Sequence, residues 1–231
     1  MPLTTVLSIE VRPECARAYE QLCLQLAEQA KQRGSSPSWS AHQGLIGAGN
    51  PLHFVVESED FAGLAASARV DETVRAALGE EAAADWLQSA SECIASQRQE
   101  VAVDRPELSY APNGSDPTAP FSIITVVRAR PGHQEACEEL IRKVAEATPK
   151  TDDSSSLSTH QTVIGDLTQY WTARPINSLA EMDDILPAPE LLSRVFGPAE
   201  GGLIYRSGMD AIERVERAIT IHREELSNLP E

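Results

Sequence analysis

The chain is written twice. Residue n set against residue n+118 runs without a gap from Leu3/Phe121 to Tyr110/Asn228. The coincidences keep their order along the register: Arg12-Pro13 falls on Arg130-Pro131, Ser40-Ala41-His42-Gln43 on Ser158-Thr159-His160-Gln161, and Ile46-Gly47 on Ile164-Gly165. Further on, Gly79 meets Gly197, and Arg105-Pro106-Glu107-Leu108-Ser109 meets Arg223-Glu224-Glu225-Leu226-Ser227. One register with one motif order marks a tandem duplication, so whatever one half folds into, the other folds into as well. Two domains are expected, residues 1–110 and 121–231. Residues 111–120 (APNGSDPTAP) join them, because Pro, Gly and Asp in that density favour neither helix nor strand.

Each half reads as strand, helix, two strands, broken helix, strand. The runs LTTVLSIEV (3–11) and FSIITVVRA (121–129) are rich in β-branched residues and end at Arg-Pro, where proline suits the first turn of a helix. Cys15, Ala18, Tyr19, Leu22, Cys23, Leu26, Ala27 and Ala30 follow at helical spacing, and Ala136, Cys137, Leu140, Ile141, Val144 and Ala145 repeat the stripe. GSSPS and DDSSS stop these helices. Strands are expected at 39–46 and 52–57, joined by Gly47-Ala48-Gly49-Asn50-Pro51, and at 157–164 and 170–174. Broken helical spacing then leads to last strands near 100–104 and 218–222.

Thirty-five Asp and Glu against 19 Lys and Arg give a net charge of −16, which repels polyphosphate backbones and anionic membranes. No apolar run approaches the roughly 20 residues of a membrane span, and the start MPLTTVLSIEV lacks a signal peptide's charged and apolar regions. A cytoplasmic protein with neither nucleic acid nor membrane as partner is expected. Cys15, Cys23, Cys93 and Cys137 show no zinc spacing and read as small buried hydrophobes.

The β-α-β-β-α-β order is the ferredoxin-like motif, whose helices cover one sheet face and leave the other bare. A second copy supplies the cover. The chain thereby resembles the dimeric α/β-barrel superfamily, which includes antibiotic-biosynthesis-monooxygenase-like (ABM-like) and NIPSNAP-like proteins, with two subunits fused in one polypeptide. The resemblance rests on the strand-Arg-Pro-helix openings at 12–13 and 130–131, the His-Gln-x-x-Ile-Gly strands at 42–47 and 160–165, and the Arg-Pro-Glu-Leu-Ser-Tyr tail at 105–110. It implies an α+β fold in which two ferredoxin-like repeats pack sheet to sheet as an intrachain barrel, a monomer or weak homo-oligomer. The superfamily holds cofactor-free monooxygenases, haem-binding enzymes, isomerases and proteins without known activity, so the fold transfers no reaction.

His42 and His160 are the candidate catalytic residues. Alternation sets them opposite Trp39 and Leu157, which suit the helices, and so turns both histidines towards the space between the sheets. There each is able to act as general acid or base, or to be a structural histidine kept by descent. Facing sheets stand about 10 Å apart, too far for two nitrogens that must lie within roughly 4 Å on one zinc, so the pair is not expected to share a metal. Glu10 and Arg128 occupy equivalent places and are candidates for pairing across the interface or orienting a polar ligand. On the third strand Leu52-His53-Phe54-Val55 meets Tyr170-Trp171-Thr172-Ala173, which makes Tyr170 and Trp171 a candidate aromatic wall and His53 a candidate polar contact. Gly47-Ala48-Gly49 opens no helix and is no phosphate cradle, and residues 152–156 lack calcium-ligand spacing.

No nucleotide, metal or Ser-His-Asp pattern is present, and no cofactor is assigned. The expected function is binding of a small molecule in a cavity between the repeats. The alternatives are a cofactor-independent monooxygenase acting on an aromatic or polyketide-like compound with His42 or His160 as base, and a haem-binding protein, which would need an axial histidine.

Overall fold

The computed structural model describes residues 2–34, 37–47, 49–67, 69–111, 118–151 and 156–229. Residues 152–155, Ala48 and most of the expected linker lie outside the described residues. The first half runs β1 (Leu3–Val11), α1 (Ala16–Arg33), β2 (Ser40–Ile46), β3 (Leu52–Ser58), α2 (Phe61–Ser67), α3 (Val70–Leu78), α4 (Glu80–Cys93) and β4 (Ile94–Asp104). The second runs β5 (Phe121–Ala129), α5 (Gln134–Ala147), β6 (Ser158–Ile164), β7 (Gln169–Ile176), α6 (Ala188–Phe196), α7 (Pro198–Ala211) and β8 (Ile212–His222). Hydrogen-bonded neighbours follow the order β1-β3-β2-β8-β5-β7-β6-β4 and close into one barrel within the chain.

The compact units are not cut where the sequence repeats. One comprises residues 1–103 with 221–231, the other residues 104–220. Each unit therefore contains the tail of the other repeat, and the repeated motifs explain how it is held. In the first unit Trp39 and Asn228 form a two-way backbone bridge, and Ser227 Oγ accepts the Ala41 N–H at 2.9 Å while donating to Arg223 O at 2.8 Å. In the second, Tyr110 bridges Leu157 in the same way, and Ser109 Oγ accepts the Thr159 N–H at 2.9 Å and donates to Arg105 O at 2.8 Å.

In the first unit α1 buries Tyr19, Cys23, Ala27 and Ala30, the face at i, i+4, i+8 and i+11, against Ile9, Trp39, Ala41 and Leu52 of the sheet, with Val74, Ala77, Ala83 and Trp86 closing the layer. In the second, Cys137, Leu140 and Ile141 of α5 meet Val127, Ala129 and Tyr170, with Leu191 and Leu192 of α6 and Ala211 of α7. Cys23, Cys93 and Cys137 are buried and Cys15 is half-buried, all as free thiols.

Two expectations about local structure change. The Arg-Pro pairs do not open the α-helices. Pro13 begins a short 3-10 turn at 13–15, and in the second half Gly132 at φ +81° delays α5 to Gln134. The pairs act instead as a hook, since the Arg12 N–H donates to Cys93 O and the Arg130 N–H to Ala211 O, at the ends of α4 and α7. The last strands also begin earlier than the β-branched residues indicate, at Ile94 and Ile212, directly from the preceding helix. Gly47 and Gly165, where β2 and β6 end, have φ +97° and +125°, a region costly for any residue with a Cβ.

Candidate functional site

The described cavity belongs to the first unit. Thr5 and Leu7 of β1 stand opposite Val56 and Phe54 of β3, and this face of the sheet lies under the helices. α1 covers it with Tyr19 and Cys23, α3 with Val74, α4 with Trp86. About 80 Å³ is left open between them. The indoles on its rim are pinned, Trp39 Nε1 donating to Leu226 O and Trp86 Nε1 to Leu22 O, each at 2.8 Å. Val70, more than a third exposed, and half-buried Thr73 bring the α3 end of the cavity to the surface.

No lining residue carries a formal charge at neutral pH. Burial is the main cause that pushes the Cys23 thiol up to about 12 and the Tyr19 phenol upward as well, so both stay protonated. Thr73 and Gln99 add uncharged polar groups to the lining, and Thr5, 3% exposed, has an Oγ1 that is closed off from solvent and has no hydrogen-bond partner. An unmatched buried hydroxyl costs about 1–3 kcal/mol.

The second repeat has not kept this lining. Tyr19, Trp39, Phe54 and Trp86 correspond to Cys137, Leu157, Thr172 and Ile204, and Thr5 to Ile123. That difference was readable in the sequence. Each of these residues by itself fits an ordinary core stripe, so the difference marks no site on its own.

The histidines occupy the other face of the sheet. In the first unit His53 and His42 are cross-strand partners on β3 and β2, and the His42 and His222 rings are 5.4 Å apart. His53 Nδ1 lies 2.8 Å from Ser8 Oγ, His42 Nε2 3.0 Å from Ser40 Oγ, and His222 Nε2 3.1 Å from Ser227 Oγ. Burial, followed by the charges of His222 and His53, lowers His42 to about 4, and burial lowers His53 too. His42 and His53 are held neutral, and His42 is a weak base. For a haem iron, two of the three do not fit because Nε2 is committed to a serine, and His53 fits only through Nε2. Among the described residues no group of three His, Cys, Asp or Glu is placed to hold a metal ion.

The equivalent positions of the second unit hold Trp171, His160 and Asp104. His160 stacks on Trp171 with ring centroids 3.8 Å apart and planes 13° from parallel. Its Nδ1 is 2.7 Å from Asp104 Oδ1, an ion-pair distance without the direction of a good hydrogen bond.

The other candidates go to local partners. Glu10 accepts from Ser96 Oγ at 2.9 Å, and Arg128 pairs with Asp166 at 2.6 Å, so each charge is used beside its own strand. Tyr170 and Trp171 do not make one wall, because neighbours on a strand point to opposite faces. Tyr170 is buried under the helices, where its hydroxyl donates to Glu138 at 2.7 Å. Gln43 and Gln161, which share a motif with the histidines, bind Arg223 and Arg105. Arg105 also pairs with Glu107 and takes both oxygens of Glu138 at 3.0 Å; Arg223 likewise pairs with Glu225 and Glu20. The repeated tail is a structural clasp built twice.

A helix-covered antiparallel sheet in each half, closed into eight strands, is the dimeric α/β-barrel fold with both subunits in one chain. Solved structures agree over nearly the whole length. A protein of Fusobacterium nucleatum, provisionally named a monooxygenase, matches with TM-score 0.61 at 12% identity, covering 96% of this chain and 92% of its own. An anthrone oxidase-like protein matches with TM-score 0.56 at 12% identity, covering 99% and 94%, and the chlorite dismutase of Candidatus Nitrospira defluvii with TM-score 0.55 at 11% identity, covering 97% and 93%. No protein-family model matches the sequence, and no curated protein does. Identities this low establish fold and leave the reaction open. Among the described residues no helix is long and apolar enough to cross a membrane.

Proposed function

We propose that the chain is a small-molecule-binding protein whose binding site is the cavity of the first unit, between its sheet and its helices. The observation that carries this reading is a mainly apolar, uncharged space under the helices that reaches the surface at the α3 end. Ligand sites are concave and lined mostly by apolar side chains with few polar groups, as this space is. Thermal unfolding in the presence of uncharged one-ring compounds tests the reading, since a ligand that prefers the folded state raises the melting temperature with its concentration. A concentration-dependent rise that is abolished by filling the space with Val74→Phe supports it. Stabilisation by no such compound, or equally in Val74→Phe, refutes it.

A second reading rests on His160. An imidazole with a carboxylate within 2.7 Å of one nitrogen and an indole stacked on its face is placed to act as a general base, and a cofactor-independent monooxygenase needs one to deprotonate its substrate. His42 is the poorer candidate, because burial and two neighbouring histidines lower it to about 4 and leave it a weak base. Oxygen uptake with hydroxylated aromatic compounds, lost in His160→Gln and retained in His42→Gln, supports this activity. A Soret band in the purified protein would favour haem instead.

A further inference from the structure

We propose that Cys15 and Cys93 are a peroxide-reactive pair of thiols that closes to a disulfide and ties the start of α1 to the end of α4. Neither residue lines the cavity, and the inference depends on neither reading above. The backbone brings the two cysteines together. Val11 of β1 and Ile94 of β4 are cross-strand partners, and next to them the Arg12 N–H donates to Cys93 O at 2.9 Å. The chain then turns back, so that the Cys15 N–H donates to Arg12 O at 2.8 Å. Arg12 is thus tied to both. Cys15 packs against the core cluster to which Cys93 belongs, and the two thiols are hydrogen-bonded to each other. A disulfide asks the sulfurs to close from that contact to about 2 Å.

Their surroundings give the two thiols different parts. Cys15 is half-buried at the N-terminal end of α1 and is the thiol that a small oxidant meets, whereas Cys93 is 6% exposed. Burial, followed by the neighbouring Cys15 thiol, pushes Cys93 upward, so it stays protonated until its partner has reacted. The Cys15 sulfur attacks hydrogen peroxide, breaks the O–O bond and becomes a sulfenic acid with release of one water. The Cys93 sulfur then attacks the Cys15 sulfur, and its proton leaves with the displaced hydroxyl as a second water. The two sulfurs lose two electrons and the peroxide gains them. Cys23, also buried in this unit, faces the Tyr19 hydroxyl instead. His133 and Ala211 stand at the corresponding places of the second repeat, which therefore has no such pair.

Hydrogen peroxide added to the reduced full chain tests the proposal. The four free thiols should fall to two, peptide mapping without reductant should join residues 15 and 93, and dithiothreitol should restore all four. In Cys93→Ala the sulfenic acid should persist on Cys15 and be trapped by dimedone, and in Cys15→Ser the Cys93 thiol should stay unoxidised. The second repeat carries alanine and a polar side chain at these two places, so both substitutions are mild for the fold. A chain that keeps four free thiols overturns the proposal, as does oxidation that stops at a sulfinic acid on Cys15 with Cys93 free. A cross-link that uses Cys23, or that joins two chains, overturns it too.

Discussion

Arg223 and Arg105 show why residues repeated at one offset need not be functional. Each guanidinium is drawn into a clasp of a helix glutamate, a strand glutamine and the glutamate two positions on, and together these partners hold the charge at a half-buried site. Removing such an arginine leaves its carboxylates unmatched. Arg223→Ala should destabilise the protein by about 2–3 kcal/mol in urea unfolding. Arg128→Ala, which breaks a single pair nearer the surface, should cost less than about 1 kcal/mol. The histidines leave a different signature. His42 titrates lower in the folded chain than its ordinary 6.5, so the unfolded state takes up its proton first on acidification. Stability should therefore be full above pH 6.5 and decline as pH falls towards 4, and His42→Gln should flatten the decline above pH 5. The carboxylates of Glu138 and Glu225, lowered in the folded state, lose their contribution only at more acid pH. A melting temperature constant from pH 7 to pH 5 would contradict this account. The sequence showed that the histidines face away from Trp39 and Leu157, but their neighbours belong to other strands, and no local pattern reveals that His42 meets His222 while His160 meets Asp104.

At the scale of elements, most strands and helices were legible because each carries its own periodicity, and the duplication provided a second reading of each. The first parts of β4 and β8 were not. Residues 95–99 and 213–217 are exposed on both faces, so they show neither alternation nor a β-branched run, and only pairing with a neighbouring strand makes them strands. Helix packing also separates the two units. Gly208 of α7 lies against Leu140 of α5 so closely that an ideal Cβ would come within 2.4 Å of the leucine Cβ, whereas Ala90 stands at the same place in α4. Gly208→Ala should therefore destabilise the protein by about 1–3 kcal/mol through overpacking, although alanine is the better helix former. A neutral or stabilising result in thermal unfolding would show that α5 and α7 have room to part.

For the whole molecule, the duplication predicted the barrel, since a bare sheet face in one repeat requires a cover. It did not predict that the compact units exchange tails, because residues 104–110 and 221–228 align with each other as well as they would if each stayed with its own repeat. The cavity leaves no signature in the sequence for a related reason: apolar residues around an opening have the same periodicity as apolar residues packed solid. The central claim, that the ligand site lies in the first unit and not in its copy, is open to a direct measurement through the chain's three tryptophans. Trp39 and Trp86 line the cavity, and Trp171 lies beside His160. In ¹⁵N-labelled protein each indole N–H gives its own signal. Titration with phenol should shift the Trp39 and Trp86 signals together along one saturable curve and leave that of Trp171 in place; a shift of Trp171 with Trp39 and Trp86 unmoved would contradict the account.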